Sequence, residues 1–68
     1  MRNWEKFAEA CYDQNSAREL KACLFREEAD EADCKEWNIT PQEWRAGIIS
    51  AIQMMFDDLA EWQKKQEV

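Results

Sequence analysis

Six carboxylates fall within ten residues, Glu27, Glu28, Asp30, Glu31, Asp33 and Glu36, with Lys35 the single cation among them. Side chains of that kind at that density can hold a hard cation, or they can present a negative surface to a basic partner. A calcium loop needs a glycine at its sharp turn, and residues 28–37 contain none, so metal binding is not expected. A run of acids on a helix is most often a solvated face. Its functional counterpart is an acidic patch that docks on a Lys/Arg-rich protein surface, where charge complementarity sets on-rate and partner choice. Trp37 stands at the end of this segment, and an aromatic anchor beside charges has the makeup of a binding hot spot. Packing against Ile39 and Trp44 is an equally good use for it.

Catalytic chemistry has little to work with. The chain has no His, which removes the commonest general base and rules out Cys-His and Ser-His pairs. Cys11, Cys23 and Cys34 are 12 and 11 residues apart, unlike the close pairs of structural zinc sites, and each is better read as a small apolar core residue. Asp30-Glu31-Ala32-Asp33 spells a helicase signature. That chemistry requires a glycine-rich phosphate loop on a parallel sheet, and Gly47 is the one glycine in the chain. The match is a coincidence of letters. No enzyme and no cofactor are expected.

These residues must be positioned by helices. With 68 residues, one Gly, one Pro and few β-branched residues, the composition favours a single all-α domain spanning 1–68. Ile39-Thr40-Pro41-Gln42-Glu43-Trp44 starts the dominant helix. Thr40 and Glu43 form a capping box, Pro41 suits the first helical position, and Ile39 and Trp44 make a hydrophobic staple. Trp44, Ile48, Ala51, Ile52, Met55, Leu59 and Trp62 continue from there as one stripe to about Gln66. Trp4, Phe7, Ala8 and Cys11 give a first helix from about Asn3 to Asp13, and Gln14-Asn15 is a link short enough to place antiparallel neighbours. Ser16 and Glu19 form a second capping box that starts a helix at 17. After Leu24 the apolar phase drifts to Phe25, Ala29 and Ala32. The pattern predicts a helix to about 29, a turn near 28–30 and a further helical piece to Trp37. The fold expected is a small three-helix bundle with a long C-terminal helix, or a four-helix bundle where the second helix breaks.

The long helix is apolar around more than half its circumference, with Ile49 and Phe56 on one flank of the stripe and Gly47 and Met54 on the other. Two shorter helices cannot cover so much, so a homodimer through Gly47, Ile49, Met54 and Phe56 is expected. Nine cations against fifteen acids give a formal charge of −6, which disfavours direct contact with nucleic acid or an anionic membrane. No segment approaches the ~20 apolar residues of a membrane span, and no apolar leader follows the Met-Arg-Asn-Trp start. The odd cysteine count argues against a disulfide framework. Together these point to a reducing, cytoplasmic setting, where the Asn38-Ile39-Thr40 sequon would go unused. The function expected is a small acidic helical module that binds a protein with a basic surface and modulates it. The runner-up is a phage-type inhibitor whose acids imitate nucleic-acid phosphates on a nucleic-acid-binding protein. A structural or assembly subunit with no regulatory role is the rival.

Overall fold

The structure, a computed structural model, describes residues 2–66. Its long axis is a 26-residue helix, α4 (Pro41–Gln66), on which α1 (Asn3–Gln14), α2 (Ala17–Leu24) and α3 (Glu31–Trp37) are all packed; no strand occurs among the described residues. At 1.5 Å per residue α4 is about 39 Å long and α1 about 18 Å, so much of α4 outruns its neighbours.

The start of α4 is built as its sequence demands. Thr40 Oγ1 accepts from the Glu43 amide at 3.1 Å, and the Glu43 carboxylate accepts from the Thr40 amide at 2.9 Å. Ile39 and Trp44 are both buried in the same core. The second capping box is present as well, with Ser16 and Glu19 each accepting from the other's amide at 3.2 Å.

The second helix breaks, and the four-helix form is the one observed. The break comes earlier than the apolar phase suggested, since α2 ends at Leu24 and its last turn tightens through Phe25 N–H to Ala22 O and Arg26 N–H to Cys23 O. Asp30 then caps α3, its carboxylate accepting from the amides of Ala32 at 2.9 Å and Asp33 at 3.3 Å. The turn leaves Ala29 and Cys34 packed against the core. At its other end α3 closes on Asn38, whose φ of 53° is left-handed. Ile39 N–H reaches Cys34 O at 3.0 Å and Asn38 N–H reaches Lys35 O at 3.3 Å, a Schellman closure that turns the chain directly into the Thr40 cap.

The core is Phe7, Cys11, Leu20, Ile39, Trp44, Ile48 and Ala51, with Trp44 and Leu20 fully enclosed. Each large side chain there contributes about 1.5–3 kcal/mol by leaving water. The indole of Trp44 is not left unsatisfied, because its Nε1–H donates to Asp33 Oδ2 at 3.2 Å. Helix α1 runs in the same direction as α4: Trp4 and Phe7 lie against Gly47, and the Tyr12 hydroxyl donates to Asp58 further along. The short link after α1 does not make α1 and α2 close neighbours, since both spend their apolar faces on α4 rather than on each other.

Candidate protein-interaction site

The acidic segment is divided by the fold into three uses. Asp30 is spent on capping α3 and on an ion pair with Arg26 at 3.2 Å. Those contacts, the Asp33 amide foremost and the Arg26 side chain next, hold its carboxyl below the usual aspartate value of 3.8. Asp33 is spent on the Trp44 indole. Both therefore serve the fold, and the expectation that they face a partner gives way to these jobs.

Glu27, Glu28 and Glu31 form the second group. They line a shallow groove of about 390 Å³ together with Ala29, Pro41 and Arg45. Arg45 fixes the shape of this loop, its Nη2 donating at 2.7 Å to the carbonyls of both Arg26 and Glu27. All three glutamates are exposed, and none makes an ion pair within 4.0 Å among the described residues. Glu36 and Trp37 lie elsewhere, in a groove of about 290 Å³ between α3 and the end of α1 that also takes in Phe7, Cys11 and Gln14. Trp37 meets the Phe7 ring edge-to-face at 5.8 Å, so it is half-buried packing and not a free anchor. The ten-residue run is thus no single patch.

The four residues expected at a dimer seam also part company. Gly47 is buried under α1, where an added Cβ would stand 2.5 Å from Cδ2 of Phe7. Met54 is half-buried beside Trp4 and Ala8 on the same flank. The first helix of the chain itself takes that flank, which closes Gly47 to a second copy and covers Met54 in part. Ile49 and Phe56, on the opposite flank, stand 54% and 61% exposed. Leu59 and Trp62 join them at 49% and 58%, because the bundle ends before the stripe does; every described residue from Phe56 onward is exposed. Phe25, at the end of α2, is 79% exposed.

The cysteines are all free, Cys11 buried and Cys23 and Cys34 half-buried against the core. Burial, helped by the negative charge of Asp33 and by Cys23, pushes the Cys11 thiol up to about 11. Burial likewise raises Cys34, with Asp33, Asp30 and Glu31 adding to the effect. Thiols held protonated in this way are poor nucleophiles near neutral pH. Among the described residues no three of Cys, Asp and Glu gather where they could hold a metal ion, and no helix is long and apolar enough to cross a membrane.

Sequence reasoning passed over Arg45, yet it is the only cation between Lys35 and Lys64, and it falls on the apolar side of α4. A lone cation in such a stretch is a sign that a carbonyl or carboxylate waits opposite. Comparison with protein-family models, with curated proteins and with solved structures finds no match.

Proposed function

We propose that this chain is a small acidic helical module that works by binding a protein with a basic surface. The observation that carries this reading is the acidic group of Glu27 and Glu28 in the α2–α3 loop and Glu31 at the start of α3. Three carboxylates, none in an ion pair among the described residues, project from a backbone that Arg45 and the Asp30 cap hold in one shape. The backbone of such a group loses little conformational entropy on docking, and its charge steers a cationic surface toward it from a distance. A surface that ordinarily holds nucleic-acid phosphates is one natural target. Modulation of the partner would follow from occupying that surface, in the reducing cytoplasmic setting that the free thiols suit.

A second reading, an assembly subunit, is favoured by a different observation: Ile49, Phe56 and Leu59 leave an apolar face of α4 open to water, with Trp62 exposed beyond them.

Capture from extract of the native host separates the two. The module reading predicts retention of a nucleic-acid-binding protein at low salt, loss at high salt, and loss in a Glu27→Gln, Glu28→Gln, Glu31→Gln variant of unchanged helicity. Capture that ignores both salt and these substitutions would refute the acidic loop as the contact.

A further inference from the structure

The uncovered face of α4 is ordered as a seam. Arg45, Ile49, Ile52, Phe56, Leu59 and Gln63 follow one another at intervals of 4, 3, 4, 3 and 4, the alternation with which one helix lies along another. This line runs beside the inward stripe of Trp44, Ile48, Ala51 and Met55, about a quarter-turn around the helix at 100° per residue. Ile49, Phe56 and Leu59 are exposed and Ile52 is half-buried, so the middle of the seam is apolar and open. Its two ends differ in local charge, with the acids Asp57, Asp58 and Glu61 ending before the two lysines of the last turn. At the start of α4 stands the loop of Glu27, Glu28 and Glu31, pinned by Arg45; in the last turn stand Lys64 and Lys65.

We infer that a second copy of this chain covers the seam, its α4 antiparallel to the first and crossing it at a twofold axis between Ile52 and Phe56. In that register Ile52 meets Phe56 of the second copy, Ile49 meets Leu59, and Arg45 meets Gln63. The polar residues thereby fall at the ends and the apolar ones in the middle. Lys64 and Lys65 of each copy come level with the first turn of α4 in the other, beside Glu27 and Glu28. Charge decides the direction. A parallel pair would set two acidic loops side by side at one end and two lysine pairs at the other, with helix dipoles aligned. The antiparallel pair matches unlike charges twice and opposes the dipoles. One patch meeting its own copy also closes at two chains, leaving no further seam open.

The inference deepens the reading of the chain as a protein-binding module. It names what lies on α4, and it implies that the dimer shields the loop a basic partner would use. The two claims fail separately: host capture tests the partner, and sedimentation of the purified chain tests the second copy.

Sedimentation equilibrium from micromolar to submillimolar protein should give a reversible monomer–dimer equilibrium that weakens as salt is raised. Lys64→Glu with Lys65→Glu should weaken the dimer about tenfold, through loss of exposed charge pairs that the symmetry repeats. Glu27→Lys with Glu28→Lys in the same chain should restore most of that loss. Phe56→Glu should give a monomer of unchanged helicity, since Phe56 lies outside the core. A single species of 8.1 kDa at every concentration would overturn the proposal. A dimer that tightens on reversing the lysines would overturn the antiparallel arrangement, and one indifferent to Phe56→Glu would place the contact on another face.

Discussion

Gly47→Ala sets two effects of known sign against each other. In the interior of a helix Ala is more favourable than Gly by about 1 kcal/mol, so at an exposed site the substitution would stabilise α4. Here the new Cβ would lie 2.5 Å from Cδ2 and 3.1 Å from Cε2 of Phe7, with the Trp4 carbonyl oxygen at 3.4 Å. Phe7 cannot swing aside freely, because it is buried and lies edge-to-face on Trp37. Relieving the clash requires α1 to move away from α4, and forcing an extra methyl into such a contact typically costs about 1–3 kcal/mol. The expected net is a loss of about 1 kcal/mol, which in a domain of this size lowers Tm by about 4–8 °C. Urea unfolding followed by circular dichroism measures it, with Phe7→Leu as the control background. There the smaller, more adaptable side chain should let Gly47→Ala become neutral or stabilising, so the two changes should couple by more than about 0.5 kcal/mol. A Gly47→Ala midpoint raised by the full helix-propensity gain would refute the claim that α1 seats on Gly47.

Three further outcomes follow from the same contacts. Thr40→Ala should lower stability by about 1 kcal/mol through loss of the cap on Glu43 N–H, read from the denaturant midpoint; an unchanged midpoint would mean that α4 does not depend on this cap. Arg45→Met keeps the aliphatic stem but frees the Arg26 and Glu27 carbonyls, and should cost about 1–2 kcal/mol and speed amide exchange across residues 25–30, while leaving α1 unaffected. Cys11 titrates at about 11 in the fold against an ordinary 9.0, so below pH 9 both states are protonated and its contribution is intact. Between about pH 9 and pH 11 only the unfolded chain releases the proton, so stability should fall by about 2 kcal/mol as pH rises. Cys11→Ala should lack that part of the alkaline slope, and an identical slope in both proteins would contradict it.

The starts of α2 and α4 were legible in the sequence because capping is local: Ser16 with Glu19 and Thr40 with Glu43 lie three residues apart and need nothing else to form. The long apolar stripe of α4 was legible for the same reason, since its period is a property of one helix. What could not be read was the destination of side chains whose partners are distant in sequence. Asp33 looked like its acidic neighbours until Trp44, eleven residues on, supplied an indole N–H. Gly47 looked like a place for a second helix to approach, and a helix does approach there, but it is α1 of the same chain. Asn38 was noticed only as part of a sequon. Its left-handed conformation, which ends α3 and aims the chain into the Thr40 cap, was foreshadowed by the simple fact that Asn tolerates positive φ.

The central claim is that this protein acts through its surfaces, the acidic loop meeting a basic partner and the outer face of α4 meeting a second copy when no partner is bound. Residues 59–66 lie past Asp58, to which the Tyr12 hydroxyl of α1 donates, and all eight are exposed, so in a single chain they are held only by propagation from the packed part of α4 and are free to fray. Amide hydrogen exchange of α4, measured on the purified chain at rising protein concentration, tests this directly. The account predicts that protection of residues 59–66 climbs with concentration while that of residues 44–51, already in the core, stays constant. Protection of 59–66 that is the same at every concentration would contradict it.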